Sequence, residues 1–326
     1  MKTLNFPKQR PVAYIKLKDE PEFCAAKHLS LESVPNVVYL ADMGYSAKEI
    51  SLCPSPVGIT SAFRIFSDEG LAIVLDLTEK MKSNRNEAQG TGKNRLGSYI
   101  RGAGYRSQFL RDFCDCGEWL EFVSGLAETP LARHTLPSVA CGVNYAPEDI
   151  SRAVDSWHVD SVSFDCVILL NDPGSFEGGE FQYFNGTKSE GERLLGSTAE
   201  DGSTADLPAS KVVNMDFQAA GWGFLQQGNM VFHRACRLTK KADRVTMIPS
   251  FVTEYEKDAT NVTNMRRWGD PGLLAELARH EAWLAQNRLN KIIDNLPLNA
   301  SEEEIASAMD DVSKGINRFS FELRSL

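Results

Sequence analysis

Apolar residues recur at every second position in a series of short runs between residues 139 and 252. This pattern is typical of β-strands that bury one face. Polar or glycine-rich stretches separate the runs, as expected of turns and loops. The runs predict eight strands, at 139–145, 157–163, 165–171, 180–184, 211–216, 222–226, 230–233 and 244–252.

Helical spacing of apolar residues dominates the two ends of the chain. Serine, proline and acidic residues stand where helices would begin, which fits the preferences of a first helical turn. The patterns predict helices at 68–81 with a cap at Asp68–Gly70, at 109–127 with a break at Gly117, from Asp270 to Asn287, and from Ser301 onward.

The chain therefore divides into three stretches, which we expect to form one integrated structural unit. Residues 1–135 are mixed and mainly helical, 136–256 hold the strands, and 257–326 form a helical extension. A polar segment at 185–210 predicts a loop insertion between the fourth and fifth strands. This insertion and the polar segment 83–104 are both candidates for a lid over a site, or for plain surface loops.

Charge and composition narrow the function. The 326 residues carry a formal net charge of −9, which argues against a nucleic-acid-binding face. No apolar run reaches the roughly 18 residues of a membrane helix, and the N-terminal residues lack the apolar core of a signal peptide. Seven cysteines without regular spacing favour reduced thiols, so we expect a cytoplasmic protein.

Two histidines and one aspartate stand where they could hold a metal. In a strand, residues i and i+2 point to the same face, so His158 and Asp160 would share one face. His233 ends a later strand-like run and supplies a third ligand. Two imidazoles and one carboxylate on a triangular face, with open positions opposite, are typical of non-haem Fe(II).

An arginine, which is positively charged at any physiological pH, follows these three potential metal ligands along the chain. Arg244 begins the last predicted strand, and Thr246 shares its face. Inside a barrel this pair would suit a buried carboxylate, because a guanidinium can donate two parallel hydrogen bonds to it.

With these residues in order, the chain resembles the Fe(II)/2-oxoglutarate-dependent dioxygenases, natural-product type. The resemblance covers about 139–252 and includes the acidic Gly-Gly segment at 176–181. It implies a mixed α/β (α+β) fold whose core is a double-stranded β-helix (jelly-roll, cupin-like), buttressed by N- and C-terminal helices. It also implies Fe(II) on His158, Asp160 and His233, 2-oxoglutarate on Arg244 and Thr246, and O2 as co-reactant. By the same resemblance, Tyr145 would donate a hydrogen bond to 2-oxoglutarate.

The substrate implied is a small molecule, such as an amino acid or a natural-product intermediate, with Arg95, Tyr99 and Arg133 as candidate contacts. Hydroxylation, desaturation and ring formation all stay open as outcomes. The alternatives are a protein or peptide hydroxylase of the same chemistry, an iron oxygenase independent of 2-oxoglutarate, and a non-catalytic metal-binding barrel. The oligomeric state is left open, with the C-terminal helices as one route to a homodimer.

Overall fold

The computed structural model describes residues 4–31, 35–87, 96–196, 207–253 and 257–324. Its α-helices are α1 (Ala25–His28), α2 (Ala47–Ser51), α3 (Asp68–Lys82), α4 (Ala103–Arg106), α5 (Gln108–Cys114), α6 (Gly117–Ala127), α7 (Lys188–Leu195), α8 (Val262–Met265), α9 (Leu273–Asn295) and α10 (Glu302–Arg324). Its strands are β1 (Val37–Tyr39), β2 (Val57–Thr60), β3 (Phe63–Arg64), β4 (Asn86–Glu87), β5 (Ser98–Ile100), β6 (Ala132–Arg133), β7 (Cys141–Tyr145), β8 (Asp155–His158), β9 (Phe164–Leu169), β10 (Phe181–Phe184), β11 (Val212–Asn214), β12 (Trp222–Gln226), β13 (His233–Ala235) and β14 (Val245–Val252).

The strands form two antiparallel sheets. The larger has the order β1-β2-β12-β9-β14-β7-β5-β4, with β3 paired to β12 and β6 to β14. The smaller has the order β11-β10-β13-β8. All eight predicted strands form, as β7 to β14, and they divide equally between the two sheets. The stretch before them, predicted as mainly helical, also contributes β1 to β6 to the larger sheet.

Two strand boundaries differ from the prediction in a way that matters for the site. The strand predicted at 157–163 ends at His158, and the strand predicted at 230–233 begins at His233 instead of ending there. Backbone hydrogen bonds explain both shifts. The amides of Met230 and Val231 donate to the carbonyl of Gln227 in a tight turn, and the amide of Asp160 donates to Gly228.

The alternation of side chains decides which face of the larger sheet is core. In β9, Phe164, Cys166 and Ile168 enter the main hydrophobic core with α3, α5 and α6. Asp165 and Val167, between them, line a cavity on the opposite face. One side of the sheet therefore packs on helices, while the other side faces the smaller sheet across that cavity.

The N-terminal helices confirm most of what their apolar spacing predicts. Helix α3 buries Val74, Leu77 and Met81 on one face. Its cap is Ser67, one residue before the predicted one, because the Ser67 hydroxyl accepts from the amide of Gly70 at 3.0 Å. The predicted break near Gly117 is confirmed, since α5 ends at Cys114 and α6 begins at Gly117.

The prediction of a loop at 185–210 is wrong for residues 188–195, which are helical. Residues Lys188–Leu195 form α7, and the Thr187 hydroxyl accepts from the amide of Glu190 to cap it. Hydrophobic contacts hold this helix to the protein, because Leu195 is buried in a cluster with Trp157 and Phe232. Residues 197–206 of the predicted loop lie outside the described residues.

The C-terminal helices α9 and α10 pack on each other. Helix α9 begins at Leu273, later than predicted, because Gly272 adopts a left-handed φ of +80° immediately before it. The predicted serine cap of α10 is confirmed: Ser301 and Glu304 bond to each other's backbone amides. Among the described helices, none is both long and apolar enough to cross a membrane. The homodimer contact stays a prediction.

A buried histidine beside β14 connects folding to pH. His134 is 0% exposed, accepts from the amide of Leu136 and bonds to the Thr260 hydroxyl at 3.1 Å. Burial, and then the nearby His280, lowers the pKa of His134 from 6.5 to about 3. The unfolded chain therefore binds a proton between pH 6.5 and 3 that the folded chain does not, so stability is lost as pH falls below 6.5.

We expect this residue to reduce the free energy of unfolding by up to about 1.4 kcal/mol for each pH unit below 6.5. The variant His134→Gln removes the titrating group and should show a shallower loss between pH 7.5 and 5. Urea denaturation of both proteins at the two pH values measures the difference. Equal pH dependence in the two proteins would contradict the assignment.

Candidate metal centre

Three side chains converge at the end of the cavity where β8 and β13 pair. His158 lies directly opposite His233 in this antiparallel pair, and the ring centroids are 4.0 Å apart. The Asp160 carboxylate lies against both rings, with Oδ1 3.3 Å from His158 Nε2 and Oδ2 3.3 Å from His233 Nε2. The potential ligand atoms all lie within 4.8 Å of one another, which is the spacing of a metal-binding group.

Backbone carbonyls hold both imidazoles in the form that a metal requires. His158 donates from Nδ1 to the carbonyl of Ser156 at 2.6 Å, and His233 donates from Nδ1 to the carbonyl of Val231 at 2.9 Å. Each ring then directs Nε2 at the centre as its potential metal ligand. Such bonds fix the tautomer and the orientation of ligating histidines.

Asp160 reaches the histidines by a route different from the one predicted. It lies beyond the end of β8, so a shared strand face does not place it. Its amide donates to the carbonyl of Gly228 at 2.8 Å, which ties the loop after β8 to the turn after β12. A Cβ at Gly228 would lie 2.7 Å from Asp160 Oδ2 and 2.3 Å from Asp165 Oδ2, so only glycine leaves room for both carboxylates.

A layer of polar side chains surrounds the three residues. The amide nitrogen of Gln226 lies 3.3 Å from Asp160 Oδ2, 3.3 Å from His233 Nε2 and 3.0 Å from Asp165 Oδ1. Asp155 Oδ2 lies 3.5 Å from His158 Nε2. Three carboxylates therefore lie close to the two imidazoles, which favours a bound cation.

The cavity in front of these residues has a volume of about 520 Å³. Both sheets line it: His158 and His233 from the smaller sheet, Asn144 and Thr246 from the larger. This volume is within the usual range for small-molecule sites.

Arg244 enters the same cavity at the start of β14 and is 1% exposed. Its Nε donates to the carbonyl of Gly179 at 2.7 Å, while its Nη1 has no hydrogen-bond partner among the described residues. Burial lowers the pKa of Arg244 to about 10, so the guanidinium still carries its charge at neutral pH. The buried cation thus keeps donor capacity for a ligand anion.

The Gly-Gly segment between β9 and β10 makes the position of Arg244 possible. Gly179 has a φ of +71°, and a Cβ there would lie 2.7 Å from Arg244 Cδ. Any other residue would therefore be strained and would also displace the arginine.

Thr246 lines the cavity as predicted, but Tyr145 does not. Strand β7 alternates, so Gly142 and Asn144 face the cavity, while Tyr145 enters the hydrophobic core. The Tyr145 hydroxyl donates to the carbonyl of Thr78 at 2.7 Å, which leaves no role at the cavity. The residue of β7 that lines the cavity at this point is Asn144, opposite Thr246 in the β7–β14 pairing.

The three candidate substrate contacts have different outcomes. Tyr99 lines the cavity. Arg133 does not: it is 3% exposed, pairs with Asp115 at 2.6 Å and donates to two backbone carbonyls. Its guanidinium is consumed by structural hydrogen bonds, so the prediction for Arg133 is wrong. Arg95 lies outside the described residues.

Two further cavity residues, Arg101 and Trp268, were not predicted as substrate contacts, although Arg101 lies in the polar segment 83–104. Arg101 stacks over Trp268 at 3.9 Å and over Tyr99 at 4.7 Å, and it pairs with Asp270 at 2.7 Å. Trp268 follows two arginines at 266–267, and this local pattern does not predict a contact with Arg101, which lies 167 positions earlier in the chain. Only the packing of residues after α8 on β5 brings the two together.

Comparison with known proteins finds solved structures of low similarity. The epimerase SnoN, described as non-haem and α-ketoglutarate-dependent and coming from nogalamycin biosynthesis, is 13% identical, with 60% of this chain and 78% of SnoN covered at a TM-score of 0.44. The carbocyclase SnoK from the same biosynthesis is 16% identical, with 67% and 87% covered at a TM-score of 0.40. A Pseudomonas putida prolyl-4-hydroxylase is 12% identical, with 60% and 91% covered at a TM-score of 0.38.

No protein-family model and no curated protein matches the chain.

Gly228 offers a test of the metal centre that changes none of the three ligand residues. Gly228→Ala should lower divalent metal affinity by about 10- to 100-fold, because the new methyl group displaces the Asp160 carboxylate. Calorimetric titration with Co²⁺ measures the change. Gly125→Ala is the matched control, since a Cβ there contacts nothing within 4 Å. A folded Gly228→Ala protein with undiminished affinity would contradict this role of Gly228 in leaving room for the Asp160 carboxylate.

Proposed function

We propose that the protein is an Fe(II)/2-oxoglutarate-dependent dioxygenase that oxidises a C–H bond of a small molecule. One observation carries the proposal: His158, Asp160 and His233 converge at a cavity that also contains the buried Arg244. Two imidazoles and one carboxylate with open positions are the usual ligands of non-haem Fe(II) oxygenases.

The proposed core is a double-stranded β-helix formed by β7 to β14. The pairing supports it, because these strands split into the four-strand orders β12-β9-β14-β7 and β11-β10-β13-β8. The chain moves between the two sheets as it passes from β7 to β10 and again from β11 to β14. The cavity between the sheets then corresponds to the interior of a jelly roll.

The donor set fits Fe(II). Both histidines present Nε2 with Nδ1 held on a carbonyl, and Gln226 orients the Asp160 carboxylate. The chemistry that Fe(II) supplies when bound with 2-oxoglutarate is O2 activation, in which oxidative decarboxylation to succinate and CO2 accompanies substrate oxidation. The residues of the chain bind and orient the reactants and limit access of water.

Arg244 and Thr246 are proposed to hold the carboxylate of 2-oxoglutarate that is remote from the metal. The Nη1 of Arg244, buried and without a partner among the described residues, supports this role. A carboxylate there would satisfy the guanidinium, and Thr246 and Asn144 line the same cavity with further polar groups.

A small molecule is the proposed substrate class. The cavity of about 520 Å³ is of a size that encloses such a molecule. Its walls combine the aromatic side chains of Tyr99 and Trp268 with polar groups, an arrangement that suits a partly polar ring or chain. Hydroxylation is the simplest outcome, and desaturation or ring formation remains within the same chemistry.

His233→Ala should abolish the combined binding of metal and cosubstrate. Anaerobic protein with Fe(II) and 2-oxoglutarate is expected to show a weak visible charge-transfer band, and the variant should lose it with one imidazole ligand removed. Visible absorption spectroscopy measures the band without any substrate. His28→Gln is the control, because His28 bonds to the amide of Cys24 and does not line the cavity. Iron binding without such a band in the wild type would favour an oxygenase independent of 2-oxoglutarate.

Arg244→Lys should raise the concentration of 2-oxoglutarate needed for half-saturation by about 10- to 100-fold, because hydrogen bonds to a charged group contribute about 1.5–3 kcal/mol. Titration of the same absorption band measures the change. Arg64→Lys is the matched control for an arginine-to-lysine change, since Arg64 pairs with Asp68 at the surface. Unchanged half-saturation in Arg244→Lys would mean that another group holds this carboxylate.

A further inference from the structure

A second cavity of about 330 Å³ lies beside the first. The two share part of their lining, namely Tyr99, Ile100, Arg101 and Trp268. The remaining lining comes from elsewhere in the chain and includes Tyr14, Asn84 and Arg106. None of the metal-centre residues lines this second cavity, so its chemistry is separate from that of the metal.

Arg106 is the notable residue of this second cavity. It is 8% exposed, and its Nε and Nη1 have no hydrogen-bond partner among the described residues. Its guanidinium lies 5.3 Å from the centre of the Tyr14 ring. Burial lowers the pKa of Arg106. A buried charge without a counter-charge is costly, and such groups persist where a ligand needs them.

Tyr14 adds a second donor. It is 3% exposed, and its hydroxyl has no hydrogen-bond partner among the described residues. Its ring is held in place from two sides: it stacks on Tyr105 at 4.9 Å, and a Cβ at Gly102 would lie 2.6 Å from it. The hydroxyl is therefore positioned by packing and not by a hydrogen bond.

The other charges in this cavity compensate each other. Arg101 Nη1 lies 2.7 Å from Asp270 Oδ2, and Arg101 is stacked on two aromatic rings. That ion pair leaves Arg106 as the uncompensated charge among the described lining residues. Asn84 and Asn86 add amide groups to the same wall. A guanidinium, a hydroxyl and amides together suit an oxyanion.

We propose that the second cavity binds a carboxylate or phosphate group at one end of the substrate. The shared wall of Tyr99, Arg101 and Trp268 places this anchor next to the cavity in which oxidation would occur. The substrate is therefore an anionic small molecule, long enough to reach from Arg106 past Arg101 to the metal centre. This identification of the substrate class rests on the proposed function, whereas oxyanion binding by Arg106 does not.

Oxyanion binding can be measured on the full-length protein without iron. Inorganic phosphate and acetate, each compared with chloride at equal ionic strength, are the probes, and the melting temperature Tm is the readout. The wild type should gain a few degrees with phosphate or acetate, because a ligand that binds only the folded state stabilises it. Arg106→Gln and Tyr14→Phe should lose most of this gain, and Arg64→Gln should keep it.

Two further variants distinguish oxyanion binding at Arg106 from binding at another cation and from a purely structural role. Because Arg244 is itself proposed to hold a carboxylate, the test concerns the part of the oxyanion response that Arg106→Gln removes. Arg244→Gln should keep that part, and adding Arg106→Gln to Arg244→Gln should remove it. Arg106→Gln without ligand should melt at or above the wild-type temperature, because it removes a buried unpaired charge. An equal oxyanion response in the wild type, Arg106→Gln and Tyr14→Phe would overturn the site. A Tm for ligand-free Arg106→Gln well below the wild-type value would overturn it as well, because Arg106 would then be structural.

The substrate assignment has its own test. Anionic and neutral small molecules are screened by succinate release, and Arg106→Gln should raise the KM of an active anionic compound at least about 10-fold while the requirement for 2-oxoglutarate stays the same. Efficient turnover of a neutral compound, equal in the wild type and in Arg106→Gln, would overturn the substrate assignment. Failure of the proposed function would appear differently, as no succinate release with any compound while the oxyanion response persists.

Discussion

The pairing of β8 with β13 is the contact on which the site depends. It puts His158 opposite His233 with ring centroids 4.0 Å apart, from strands 75 positions apart along the chain. A register slip of one residue would turn one imidazole to the other face of the smaller sheet and separate the two nitrogen atoms. The turn after β12 then positions Asp160, because the Asp160 amide donates to the carbonyl of Gly228. Since Gly228 has no side chain, it also leaves room for the Asp160 carboxylate.

The larger sheet supports this pairing through a division between its two faces. In β7, β9 and β14 one set of alternate residues enters the core against α3, α5 and α6, and the other set lines the cavity. The site is therefore carried by strands whose opposite face is anchored in close-packed core, which keeps cavity side chains in defined positions. Asn144 and Tyr145 are neighbours in the chain, and they illustrate this division because Asn144 lines the cavity whereas Tyr145 lies in the core.

Two buried arginines give the interior its electrostatic character. Arg244 faces the metal centre and Arg106 faces the second cavity, and each has guanidinium nitrogen without a partner among the described residues. We expect each to cost stability in the ligand-free protein, since charge taken out of water needs compensation. Arg133 shows the contrast, because its equally buried guanidinium is satisfied by Asp115 and backbone carbonyls. The three arginines are similar in burial and differ in whether the described residues supply hydrogen-bond partners.

The sequence by itself determined the existence of the eight strands, the break between α5 and α6, and the set of His158, Asp160, His233, Arg244 and Thr246, because periodicity and residue chemistry are local properties. It could not determine what depends on distant contacts. Asp160 reaches the histidines through a bond to Gly228 rather than along a strand, and the face on which Tyr145 lies depends on the exact register of β7 with β14. The sequence does not distinguish Arg133 from Arg106, yet Arg133 forms an ion pair with Asp115, whereas two guanidinium nitrogens of Arg106 have no partner among the described residues. Tertiary structure decided these cases, since only packing brings a partner, or a cavity, to a side chain.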